Sequence, residues 1–233
     1  MKKLFSPGAS ATVKRMGCCL KLFAAAVAVL TFLRVGPEAR AAESGAEVRP
    51  VGPHLFQVGK ALGNAAERSI EFPAEVNMTN GVIEYLVVHS LGKVHESVFR
   101  TETEPYHIHL AALLLSPSAD AKATNRLFNV RVRWMTNGVV REASGESFIL
   151  DLKANAAMRE GPWAYQGSRL VDGAFLAQRD GSIITTRVDE DALLGNPRPG
   201  REDEENWLVM KPFPLPAKFP VTLILKSATK ERE

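Results

Sequence analysis

From His54 to about Arg100, apolar and polar residues alternate in short runs, the pattern of strands whose two faces meet different surroundings. The segments are Phe56-Gln57-Val58, Ser69-Ile70-Glu71-Phe72, Val82 to Ser90 and Val94 to Arg100. Four dipeptides, Asn80-Gly81, Asn137-Gly138, Asp172-Gly173 and Asp180-Gly181, each sit between apolar runs. Such pairs accept positive φ angles and are the strongest short-range signal of a hairpin. The second half is therefore predicted to be antiparallel, Leu127 to Met135 against Val139 to Leu150 and Ala174 to Gln178 against Ser182 to Val188. A last strand, Val221 to Leu225, follows the extended stretch carrying Pro212, Pro214, Pro216 and Pro220.

The pattern changes to a helix at Pro105 to Leu115. Thr103 or Glu104 can cap it, Pro105 suits its first position and Pro117 stops it. Its residues are apolar on every side, which calls for cover all round. A shorter helix is expected over Asp189 to Leu194. The fold class that follows is α+β, a largely antiparallel β-sheet with one central buried helix, Pro105 to Leu115.

The N-terminus has the three parts of a Sec-type signal peptide. Lys2, Lys3, Lys14 and Arg15 precede an apolar run from Leu20 to Leu33, then come Gly36-Pro37 and the small-residue site Ala39-Arg40-Ala41. The run is too short for a stable membrane span. Cleavage is expected between Ala41 and Ala42, with retention of the leader as an anchor as the alternative. The organisation is then a signal peptide over 1–41, an N-terminal segment over 42–64 and a single domain over 65–233. Residues 1–41 hold seven of the 29 bases and one of the 26 acids, so the remainder carries a formal net charge of −3. That argues against nucleic acid as a partner. Both cysteines, Cys18 and Cys19, also fall in the leader. The exported part has no thiol for disulfides, nucleophilic catalysis or metal ligation.

Candidate chemistry gathers in Gly81 to His89 and Gly92 to Val98. If these segments form a hairpin turning at Leu91-Gly92, Glu84, Lys93, His95 and Ser97 share one face with Leu86, Val88 and Phe99. The other face holds Tyr85, His89, Glu96 and Arg100. A serine-hydrolase triad does not fit, because the serine and not the histidine lies in the middle and the chain has no Gly-x-Ser-x-Gly elbow. Metal binding is the alternative, with His95, Glu96 and His107 or His109 holding zinc or another divalent ion. Two residues apart on a helix point about 200° from each other, so His107 and His109 do not chelate one ion together. Trp163 and Tyr165 share a strand face and are candidates for stacking on a ligand. Glu84, in a run fit for burial, is expected to be paired with Lys93, His95, Ser97 or a nearby backbone amide.

The succession Gly81 to Val88, Gly92-Lys93-Val94-His95-Glu96-Ser97, the His-x-His of Pro105 to Leu115, and Trp163 to Ser168 followed by Gly173 to Thr186 resembles the YdjY-domain family of exported bacterial proteins. The resemblance covers roughly residues 65–195. It implies a domain and an exported location but no mechanism, since that family carries no established activity. The expected role is a non-enzymatic module of the periplasm or cell envelope that binds a protein or small-molecule ligand and needs no cofactor. A metal-dependent enzyme at His95 and His107 or His109 is the alternative. Mass spectrometry of the exported protein should find Ala42 as its first residue; a product keeping the apolar run would overturn the cleavage site.

Overall fold

The computed structural model describes residues 47–115 and 126–228, which belong to the second of two units in the chain, Ser44–Glu233. The expected leader and cleavage site lie outside the described residues. The chain opens with an antiparallel meander, β1 (Val48–Gly52), β2 (Leu55–Val58) and β3 (Ala61–Asn64), which runs into β4 (Ser69–Val76). Then come β5 (Tyr85–His89), β6 (Ser97–Thr101) and the helix α1 (Pro105–Leu114). Strands β7 (Leu127–Thr136) and β8 (Val139–Ser144) form a hairpin whose turn, Asn137-Gly138, has positive φ at both residues, as its sequence predicts. Short elements follow: β9 (Ile149–Asp151), β10 (Ala156–Ala157), β11 (Trp163–Tyr165), β12 (Leu170–Val171), β13 (Ala174–Phe175) and α2 (Leu176–Asp180). Last are β14 (Ser182–Thr185), β15 (Leu194–Gly195), β16 (Trp207–Val209) and the long β17 (Pro220–Ala228).

Eight of these strands close on themselves in the order β4-β17-β7-β11-β15-β14-β5-β6 and back to β4. One wall, β4-β17-β7, is long and continuous: β17 pairs from Pro220↔Glu75 to Lys226↔Ser69 on one side and from Thr222↔Arg133 to Ala228↔Leu127 on the other. Its strands alternate. Ile70, Phe72 and Val76 of β4, Val130 and Val132 of β7 and Leu223 and Leu225 of β17 are buried in the core, while Glu71, Arg131 and Arg133 between them stay partly exposed. The rest of the ring is made of short strands and includes two parallel pairings, β5 with β6 and β14 with β15.

Closure depends on β4 changing partner along its length. Its first half pairs with β3, and beyond Pro73 it pairs with β6 through Glu75↔Arg100 and Val76↔Phe99. Proline lacks an N–H to give to a ladder, so it suits the point where one partner leaves and the next arrives. Thr101 Oγ1 donates to the Pro73 carbonyl at 2.5 Å, and Arg100 meets Glu75 at 2.6 Å across the seam.

This architecture corrects the α+β expectation. The described residues are mostly β, built on a closed eight-stranded barrel, with two α-helices among them of which one is short. Helix α1 is not a central buried element. Pro105, Ile108, Ala111 and Ala112 are buried, whereas Tyr106 and Leu114 are 40% and 48% exposed. The helix lies against β2, β3, β4 and α2, so one side suffices for burial and the apolar residues of the other remain outside. Asp189 to Leu194 is a turn region ending in β15 rather than a helix, and Asp180-Gly181 ends α2 with Gly181 at φ 71° instead of turning a hairpin.

The expected hairpin of Val82–Ser90 with Val94–Arg100 is also replaced. The chain does turn at Leu91-Gly92, with Gly92 N–H donating to the His89 carbonyl at 2.8 Å. A 3-10 turn over Val94–Glu96 then carries it back, and β6 leaves parallel to β5 with Tyr85 beside Ser97 and Val87 beside Phe99. This tight crossover passes directly over Gly181. A Cβ on Gly92 would come within 2.8 Å of the Asp180 carbonyl oxygen and 3.0 Å of Gly181 Cα, both backbone atoms unable to step aside. Gly92→Ala should therefore destabilise the fold by about 1–3 kcal/mol in urea unfolding; unchanged stability would mean that the crossover does not pack this way.

Candidate ligand site

The outer face of β7, β8 and β17, together with the segment after β8, lines a half-open pocket of about 500 Å³. Asn129, Arg131, Glu142, Ser144, Glu146, Glu160 and Lys226 line it, with Val130 and Gly161. Arg131 and Ser144 are cross-strand partners, and Lys226 faces Asn129. The loop reaches the site because Gly145 fits between Val130 of β7 and Leu86 of β5, where a Cβ would stand 3.0 Å from one and 2.8 Å from the other.

Glu146 forms the deep wall. Its side chain is 3% exposed, and Oε1 accepts hydrogen bonds from Trp163 Nε1 at 2.7 Å and Arg198 Nη2 at 2.6 Å. Arg198, 9% exposed, lies 4.9 Å over the Trp163 ring and also donates to the Arg159 carbonyl at 2.6 Å and Asn196 Oδ1 at 3.2 Å. Asn196 is held in turn, donating to the Thr186 carbonyl at 2.9 Å. Burial pushes the Glu146 carboxyl above its ordinary value, against its own backbone amide, Arg198 and Trp163, which favour the charged form. Burial likewise lowers Arg198. Breaking one partner of such a buried pair costs roughly 3–5 kcal/mol, because the other charge is left without compensation.

The residues singled out from sequence fall into three places. Glu84 and Glu96 meet near the starts of β5 and β6, but the partner of Glu84 is Arg187, 2.9 Å away just past β14, and not Lys93, His95 or Ser97. Burial raises the Glu84 carboxyl, Arg187 opposes this, and the neighbouring Glu96 adds to it. Arg187 also pairs with Glu204. Lys93 is engaged elsewhere, donating at 2.9 Å to the hydroxyl of the buried Tyr85, which donates to Asp189 at 2.7 Å. Ser97 is fully buried and donates to the Phe99 carbonyl at 2.6 Å. The proposed common face is therefore dissolved, since a parallel β6 places its residues in another register.

The metal candidates are separated as well. His95 is 74% exposed and pairs with Glu96, at 3.0 Å. His107 covers Gly59, where any Cβ would overlap its ring. His109 Nδ1 lies 2.7 Å from the Tyr165 hydroxyl, and its ring packs against both Tyr106 and Phe175. Among the described residues no group of three or more His, Cys, Asp or Glu is placed to hold a metal ion. Trp163 and Tyr165 are both buried, Trp163 as the donor to Glu146 and Tyr165 as the partner of His109, so neither offers a face for stacking. Trp163 instead forms part of the support behind the pocket, through its bond to Glu146. Glu146 and Arg198 were missed, and the only signal for them in sequence is a charged residue inside an otherwise small or apolar segment.

No protein-family model matches the chain, and comparison with curated proteins and with solved structures finds no match. The reading of the site thus rests on its own geometry.

His109 gives a pH dependence whose sign is fixed. Burial, with Arg126 adding, lowers its imidazole, so the folded chain holds it neutral. As pH falls through the ordinary value of 6.5 the unfolded chain takes up a proton that the folded chain refuses, and stability present above that value is lost until the lowered folded value is passed. Melts at about pH 7.5 and about pH 5.5 should show a smaller acid-induced drop in His109→Gln than in the wild type. Equal drops would show that His109 is not the source.

Proposed function

We propose that this chain is an exported binding module of the periplasm or cell envelope whose pocket beside Glu146 takes a small polar ligand. The observation that carries the reading is the state of the pocket wall. Glu146, Arg198 and Trp163 are already locked to one another and to Asn196, so the wall holds its shape before a ligand arrives, which lowers the ordering cost of binding. Asn129, Ser144, Glu160 and Lys226 supply polar groups above it. The arrangement is built for holding: Glu146 is bound to a cation and an indole N–H, and Glu84, His95 and Ser97 each have separate partners. Export is supported by the leader pattern and by the absence of cysteine from residues 42–233. Among the described residues no helix is long and apolar enough to cross a membrane.

A thermal-shift screen of small polar molecules tests the proposal. A binder should raise the melting temperature of the wild type and not that of Asn129→Trp, a substitution at an exposed strand position that fills the pocket with an indole. A hit that stabilises both equally would move the site elsewhere, and a hit that is chemically consumed would replace a binding role with an enzymatic one.

A further inference from the structure

Among the described residues, the charges around the pocket do not all find partners. Arg131 and Arg133 hold Glu142 between them at 3.2 Å, and Arg133 continues to Glu71 at 3.1 Å. Arg198 neutralises Glu146. Two lining charges remain, one of each sign. Glu160 accepts a hydrogen bond only from the neutral Ser144 hydroxyl, at 2.7 Å, and neither Glu160 nor Lys226 has an ion-pair partner among the described residues. They do not reach each other. Lys226 sits on β17 opposite Asn129, whereas Ser144, which fixes Glu160, sits on β8 opposite Arg131. Two interstrand steps and one two-residue step along the strands separate these backbones by about 12 Å.

From this arrangement we propose that the ligand is a small zwitterion of the amino-acid or short-peptide type, its ammonium group on Glu160 and its carboxylate on Lys226. This rests on the reading of the pocket as a ligand site. Glu160 and Lys226 are exposed in the free protein, so a neutral sugar seated between them would take water from both charges without supplying a partner, and a simple cation or anion would do so for one. A molecule with opposite charges at its two ends satisfies both. Arg131, tied to Glu142, and the buried Glu146–Arg198 pair give the field around these two charges a net value near zero, so neither end is repelled.

The test is isothermal titration of the protein with alanine, dialanine, N-acetyl-dialanine, dialanine amide and glucose. Alanine or dialanine should bind, and blocking either the amine or the carboxylate should weaken binding about tenfold or more. Glu160→Gln should reduce affinity for the free compound by a similar factor while leaving the acetylated form unchanged, and Lys226→Met should do the same with respect to the amide. Equal binding of free and blocked forms, abolished by Asn129→Trp, would overturn the zwitterion and keep the pocket. Glucose binding best would do likewise. Binding of the free compound that is indifferent to Asn129→Trp would overturn both, and no binding by any of the five would overturn the zwitterion, leaving the broader screen to decide the pocket.

Discussion

Closing the sheet requires β4 to serve two partners on one edge. An open sheet of these strands would end at β6 with a row of unpaired N–H and C=O groups, a template for association with other chains. The join between β4 and β6 is short, and much of its definition comes from side chains: Thr101 on the Pro73 carbonyl and Arg100 on Glu75. Pro73 releases β3 at the same point, leaving the β1–β3 meander attached only to the first half of β4. Everything placed around the ring, including the pocket on the β17-β7-β8 face, inherits its position from this closure.

The second constraint is the burial of Glu146 with Arg198. A pair of charges so far from water contributes little net stability compared with apolar residues of the same size, but it tolerates very few arrangements. Here both charges are fully engaged, and Trp163 provides an N–H to one and a ring face to the other. The segment from Gly145 to Gly161 and the strand β11 that follows it are thereby tied to Asn196, which lies well beyond them in the chain. A binding surface assembled from loops gains rigidity from such a knot, which is the property a ligand site needs most.

Much of the local structure can be read directly from the residues. Asn137-Gly138 turns a hairpin, Pro105 starts a helix, and the run ending in Leu225 is a strand, because each depends on backbone preferences and on periodicity within a few residues. The candidate face of Glu84, Lys93, His95 and Ser97 failed for a reason that local preference does not contain. The turn at Leu91-Gly92 was real, yet the sense in which β6 returns is set by the 3-10 turn at Val94–Glu96 and by the contact of Gly92 with Gly181. Changing that sense gave Glu84 to Arg187 and Lys93 to Tyr85.

The sequence by itself determined the basic and apolar pattern of the first 41 residues, the absence of cysteine after them, the mildly negative charge of that remainder and the abundance of strands, all properties that add up residue by residue. Only the tertiary structure decided that the strands close into a ring, that the apolar helix buries only one of its sides, and that Glu146 meets Arg198. Each of these depends on pairing between segments far apart in the chain, where the free energy comes from desolvating and matching surfaces that no local pattern encodes. The same holds for the unmatched Glu160 and Lys226: their charges are plain in the sequence, but only folding shows which neighbours are already taken.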